Sequence, residues 1–188
     1  MDDIKYEIKK SRRRTVRIEI NNDGVVILRV PMRTTLKQAR EIIERNRGWI
    51  DKHMAVVQEC RAKVNSLPPL TMEDIKRLAD KAVEYIPARV QHYASMLGVT
   101  YGRVTIRCQK TKWGSCSAKG NLSFNCLLML TPPEVIDAIV VHELCHRLEM
   151  NHSERFYSHV LRVCPEYRKW NKWLKDNGNE IMMRCLNN

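Results

Sequence analysis

Two imidazoles and a carboxylate fall together at His142, Glu143, Leu144, Cys145 and His146, an H-E-x-x-H pattern. Four residues make just over one turn of an α-helix, so both imidazoles leave the same face and can bind one ion. Glu143, about 100° round the helix, can reach a water on that ion. A catalytic zinc site takes three protein ligands and keeps one position open. The third ligand expected is His152, six residues after His146 and just past Met150 and Asn151. The helix is expected to stop there, because asparagine tolerates the left-handed backbone that ends helices. Ser153 then caps a new helix, SERFYSHVLRVCP, which turns the chain back towards the first two histidines. The rivals for third ligand are Glu149, on the same helical face as His142, with Glu154 and His159 on the next helix. Reach, and the frequency of neutral imidazole as a zinc donor, favour His152. The plainer alternative is two surface histidines beside an ordinary glutamate; three histidines, a glutamate and a turn placed as a metal requires argue against it. His53 and His92 lie on helices without comparable partners and read as structural or solvated.

Three imidazoles suit a borderline metal better than a hard one, so zinc is expected over magnesium or calcium. The implied chemistry is hydrolysis of a peptide bond, with Glu143 as general base for the attacking water. Hydrolysis of an amide that is not a peptide would use the same atoms.

A helix starting at Pro132 or Pro133 must carry this pattern, with Thr131 as its cap. Upstream, TVRIEINNDGVVILRV alternates apolar and polar residues around an Asn-Asn-Asp-Gly turn and predicts a β-hairpin over residues 15–30. From Thr35 the spacing becomes helical, with Leu36, Ile43, Ile50, Val57 and Val64 at seven-residue intervals, which predicts one long amphipathic helix. Ser66, Leu67, Pro68 and Pro69 break it and form the expected linker. Thr71 and Asp74 resemble a capping box for a helix running to Leu97, bent or interrupted at Pro87 and ended by Gly98. Strands are expected over residues 103–109 and 121–130, separated by the polar loop TKWGSCSAKG. Asn125 could face a substrate cleft or lie in an ordinary core strand. Trp113 is expected in core packing more than as a lining of the site, and Ser115 and Cys116 are not expected as nucleophiles, since an activated water needs no covalent intermediate. Hairpin, helices, strands, then helices is the order of an α+β fold rather than of alternating βαβ units. The expected division is a subdomain of hairpin and long helix over residues 1–66 and a catalytic domain over 67–188.

The 188 residues carry a hydrophobic share of 44%, a charged share of 29% and seven each of glycine and proline, which excludes disordered, collagen-like and linker-dominated chains. No apolar run is long enough to span a membrane, and MDDIKYEIKKSRRR lacks the apolar centre of a secretory signal, so a cytoplasmic location is expected. Seven cysteines without a C-x-x-C pair read as free thiols packed as small hydrophobes. The net charge of +12 is uneven: 16 Lys+Arg against 9 Asp+Glu over residues 1–66, but 8 against 8 over residues 131–188. A second function class follows from it, a nucleic-acid-associated protein whose zinc is mainly structural, with KKSRRR at residues 9–14 as its contact.

The stretch TKWGSCSAKGNLSFNCLLMLTPPEVIDAIVVHELCHRLEMNHSERFYSHV resembles the YgjP-like metal-dependent hydrolases, a zincin-type metallopeptidase family. The resemblance rests on W-G-S-C-S at 113–117, Asn125, the His-Glu-Leu-x-His helix, Asn151-His152-Ser153, Phe156 and Pro165. SRRRTVRIEI, the Gly24 hairpin, and Trp49 with Ile50 extend it over nearly the whole chain. It implies a zincin-like core, a small mixed sheet beside an active-site helix, with His142, His146 and His152 on zinc and Glu143 as base. The spacing also resembles the metzincin motif, from which Glu149 departs by standing where that motif has glycine. A more distant similarity to SprT-like and WLM-type proteases implies a protease acting on DNA-bound proteins.

Overall fold

A computed structural model describes residues 6–21, 23–66 and 68–185; Asn22 of the expected hairpin turn and Leu67 of the expected linker lie outside them. The chain divides into two compact units, Met1–Leu67 and Pro68–Asn188.

In the first unit three strands, β1 (Tyr6–Ser11), β2 (Arg17–Ile20) and β3 (Val26–Pro31), form a sheet in the order β1-β3-β2. β2 and β3 are the expected antiparallel hairpin, with Ile18 opposite Leu28. Asn21 closes its turn by accepting the amides of Asp23 and Val25 on Oδ1, and Gly24 takes a φ of 74° that a side chain would resist. β3 is the central strand and alternates strictly, so Val26, Leu28 and Val30 are buried with Ala39, Ile43 and Ile50. β1 pairs parallel to β3 and was not legible from its basic, mostly exposed residues.

The single long helix expected from Thr35 is two. α1 (Leu36–Arg45) starts in a capping box between Thr35 and Gln38, and α2 (Arg47–Asn65) follows. They part at Asn46, whose Nδ2 donates to the Ile42 carbonyl at 2.8 Å while its backbone leaves helical geometry at φ −105°, ψ 12°. A seven-residue apolar spacing survives such a break, because only one residue departs from the helix.

The second unit is built on α3 (Met72–Leu97), whose buried row Leu78, Ala82, Ile86, Val90, Ala94 and Leu97 follows one face. Pro87 sits inside α3 without ending it, since the packed row outweighs one lost backbone bond. Gly98 ends it in the left-handed conformation at φ 68°. The expected capping box is present: the Thr71 amide and hydroxyl both donate to Asp74 Oδ2, at 2.9 and 2.7 Å. These bonds, with Arg77 beside them, hold the Asp74 carboxyl down at about 2. A depressed carboxylate contributes stability that is present above its ordinary value near 3.8 and lost as pH falls through about 2. Asp74→Asn is therefore expected to lower the melting temperature by a few degrees at pH 7. Melting curves followed by circular dichroism should show that gap closing between about pH 4 and pH 2.

A second sheet, β4 (Val104–Arg107), β5 (Gly114–Cys116) and β6 (Leu122–Asn125), has the order β4-β6-β5, with β4 parallel and β5 antiparallel to β6. The strand expected over 121–130 stops at Asn125. The next residues, Cys126–Leu130, wind into a 3-10 helix because Asn125 Oδ1 accepts the Leu127 amide. α4 (Pro133–Cys145), α5 (Glu154–Val163) and α6 (Tyr167–Arg184) complete the unit. Thr131 does not cap α4: its hydroxyl donates back to the Leu128 carbonyl at 2.8 Å, and Pro132 stands at the cap. α4 is locked to α3 by Arg89, whose Nε and Nη2 meet the two oxygens of Asp137 at 2.7 and 2.8 Å. The architecture is the expected α+β, with a small mixed sheet beside the helix that carries the histidines. Among the described residues no helix is long and apolar enough to cross a membrane.

Candidate metal centre

α4 is apolar nearly all round, with Val135, Ile136, Ala138, Ile139, Val140, Val141, Leu144 and Cys145 buried, so its last turn is held rigidly. The helix ends at Cys145, earlier than expected from Met150 and Asn151. The amides of Arg147 and Leu148 turn to the carbonyls of Leu144 and Cys145, and the Arg147 side chain is drawn to the carbonyls of Thr100 and Ala118. His146 still keeps φ −63° and ψ −12°, which leaves its ring one turn above that of His142 with the centroids 5.0 Å apart. Asn151 makes the turn by accepting the Ser153 amide on Oδ1, and Ser153 Oγ accepts the Phe156 amide to start α5.

That turn brings His152 back, with its Nε2 3.1 Å from Nε2 of His142. The donor atoms of His142, His146 and His152 all lie within 4.8 Å of one another. All three rings rest on the fully buried ring of Phe156, at centroid distances of 5.0, 4.9 and 4.8 Å for His142, His152 and His146. Glu149, Glu154 and His159 are not part of this group. Glu149 contributes its backbone instead: its carbonyl faces His146 Nδ1 at 3.2 Å. A carbonyl can only accept, so the His146 proton sits on Nδ1 and Nε2 keeps a lone pair. His142 Nδ1 meets the Tyr167 hydroxyl at 2.8 Å, at the first residue of α6. Burial, then the neighbouring His146 and His152, push the His142 imidazolium down to about 4, and burial lowers that of His146.

These residues fit a zinc ion. Nitrogens bound 2.0–2.1 Å from a tetrahedral zinc stand roughly 3.3 Å apart, close to the His142–His152 separation. Burial favours the neutral form of the His142 and His146 rings, and both have their Nδ1 atoms engaged, as metal-binding imidazoles do.

Glu143, next to His142 on α4, is only 6% exposed. Burial raises its carboxyl to about 7, against the opposing pull of Lys112 and of the Cys116 amide. β5 lies directly over it: a Cβ at Gly114 would come within 2.7 Å of Glu143 Oε1. The glycine of W-G-S-C-S is thus the clearance that lets the carboxyl sit under the strand. Trp113 packs in the core, where it closes on Gly178 of α6. Ser115 pairs with Ser123 across the sheet, and burial pushes the Cys116 thiol up, neither of which makes a nucleophile. Asn125 is 1% exposed and does not face a cleft; its Nδ2 donates to the carbonyls of Gln109 and Lys112 and so pins the loop that leads to Trp113. Sequence reasoning missed Tyr167 and the role of Gly114, for neither of which spacing carries a signal.

The profile of the YgjP-like metallopeptidase domain matches residues 14–75 and 69–177 of the chain. The chain belongs to that family. A YgjP-like metallopeptidase domain implies a catalytic metal, typically zinc, and peptide or protein substrates. Among solved structures, the chain is similar to the metallopeptidase zymogen abylysin of Pyrococcus abyssi, at 24% identity and a TM-score of 0.44 over 48% of this chain and 92% of that one. It is also similar to the metallopeptidase zymogen jannalysin of Methanocaldococcus jannaschii, at 23% identity and a TM-score of 0.41 over 47% of this chain and 96% of that one. No curated protein matches it.

Proposed function

We propose that this YgjP-like domain is a zinc-dependent peptidase in which His142, His146 and His152 hold the ion and Glu143 is the general base. The observation that carries the reading is the convergence of three imidazole donors within 4.8 Å, one residue along the helix from a buried carboxyl. Zinc held there would supply Lewis acidity, drawing the pKa of a water towards neutrality and polarising the scissile carbonyl. Glu143, with a proton affinity near neutral pH, takes a proton from the attacking water on its carboxylate and returns it to the departing amine. Lys112 and the Cys116 amide favour the ionised form that accepts the proton, while burial favours the protonated form that delivers it. The closeness of these opposing pulls suits a group that must do both.

The test is elemental analysis of the purified chain together with cleavage of an unstructured protein substrate. About one zinc per chain, with cleavage stopped by a chelator and restored by zinc, is expected. A chain that takes up no zinc, or cleaves equally well without it, would overturn the reading.

Tyr167 is a positioning residue in this scheme. By accepting the Nδ1 proton of His142 it keeps the Nε2 lone pair directed at the ion. Tyr167→Phe is expected to weaken zinc binding about 10- to 100-fold, read by competition with a chromogenic chelator. Unchanged affinity would leave Tyr167 as packing alone.

A further inference from the structure

Away from the histidines, the second unit brings three thiols from distant parts of the chain to one place. Cys108 follows β4, Cys126 opens the 3-10 helix and Cys185 follows α6. The sulfurs of Cys108 and Cys185, 77 positions apart in sequence, lie 3.0 Å from each other. Their exposures are graded: Cys108 is exposed, Cys185 half-buried and Cys126 buried. Burial, with Cys108 beside them, pushes both the Cys126 and the Cys185 thiols up to about 12, so both hold their protons. The thiol that solvent can reach is therefore already in contact with a second sulfur, at 3.0 Å.

We infer that Cys108 and Cys185 form an oxidation site that takes a hydroperoxide and closes to a reversible disulfide. In the first step the Cys108 sulfur attacks the peroxide: an S–O bond forms, the O–O bond breaks, and the leaving oxygen departs with a proton as water or an alcohol. Cys108 is then a sulfenic acid, oxidised by two electrons. In the second step the Cys185 sulfur attacks that of Cys108: the S–S bond forms, the S–O bond breaks, and hydroxide leaves with the Cys185 proton as water. In sum two thiols and one hydroperoxide give one disulfide, one water, and one alcohol or second water.

The crosslink lies where the fold already stitches the same segments. Asn125 holds the carbonyls of Gln109 and Lys112, just past Cys108, and its Nδ2 also meets Met182 Sδ near the end of α6, at 3.7 Å. A bond from residue 108 to residue 185 ties the loop before Trp113 to α6 and closes a long loop of chain, which favours the folded state.

The test treats the full-length chain with hydrogen peroxide, blocks the remaining thiols by alkylation, and maps peptides by mass. A peptide pair joined through Cys108 and Cys185, about 2 Da lighter than the two thiols and released by a thiol reductant, is expected. The oxidised chain should melt roughly 5 °C higher. Cys185→Ser should instead leave Cys108 as a sulfenic acid that a dimedone probe labels, and Cys126→Ala should still crosslink. Peroxide that leaves both thiols free, joins Cys108 to Cys126, or crosslinks only between chains would overturn the inference. So would Cys126→Ala failing to crosslink while melting as the parent does.

Discussion

Glu143→Gln is expected to bind zinc as the parent does and to lose peptide cleavage by at least about 10²- to 10⁴-fold, the share that general-base catalysis supplies. Glutamine has the same shape, so it fits under Gly114 where any added bulk would collide. It is not one of the three imidazole donors, so the ligand set is left whole. What it lacks is a group able to hold a proton at neutral pH. The substitution also exchanges a buried ionisable group for a neutral one, and burial is what raises the Glu143 carboxyl in the first place. The metal-free variant should therefore melt no lower than the parent. Steady-state cleavage, zinc content and a melting curve on one preparation separate loss of the base from loss of the metal and from loss of the fold. Cleavage at the parental rate would remove Glu143 from the mechanism.

The second large effect expected is at His152. His152→Ala should weaken zinc binding by more than about 10²-fold, a greater loss than removal of a supporting hydrogen bond produces, and should abolish cleavage at limiting zinc. His152 lies on the exposed turn between α4 and α5, where its ring contributes little to the core, so the metal-free variant should melt within a degree or two of the parent. Chelator competition at fixed free zinc reads the affinity directly. Retained affinity would mean that His142 and His146 recruit a ligand other than His152, with Glu149 the first to examine because its backbone already touches His146.

Tyr167→Phe is expected to have a milder effect for a related reason. It changes the orientation and basicity of one ligand instead of removing one, so zinc still binds and cleavage returns as zinc is raised. The graded order, ligand then positioning residue, is itself a check on the assignment of roles.

The candidate site was legible where the relevant distances in sequence are short. His142 and His146 share a face because a helix repeats every 3.6 residues, and the helix was readable from Pro133 and the apolar run behind it. Ser153 was readable as a cap, and Thr71 with Asp74 as a capping box, since both are hydrogen bonds between residues three apart. The hairpin around Gly24 follows from alternation and turn chemistry in the same way. The errors lie where one side chain has a choice of backbone partners. Asn46 takes the Ile42 carbonyl and splits a helix, Thr131 takes the Leu128 carbonyl and leaves α4 uncapped, and Asn125 takes an amide two residues on and ends a strand early. In each the residue type permits both outcomes, and packing selects one.

By itself, then, the amino-acid sequence determined the local units: the helix that pairs His142 with His146, the turn that returns His152, the hairpin, and the α+β order of elements. Periodicity and capping write these into neighbouring residues, where a few hydrogen bonds decide. Only the tertiary structure decided that Gly114 roofs Glu143, that Tyr167 reaches His142 across 25 positions, that β1 runs parallel to β3, and that Cys108 meets Cys185. Those contacts join segments with no shared periodicity. Those of the second unit arise because α3, α4 and the second sheet bury around one core, and β1 joins β3 over the separate core of the first unit.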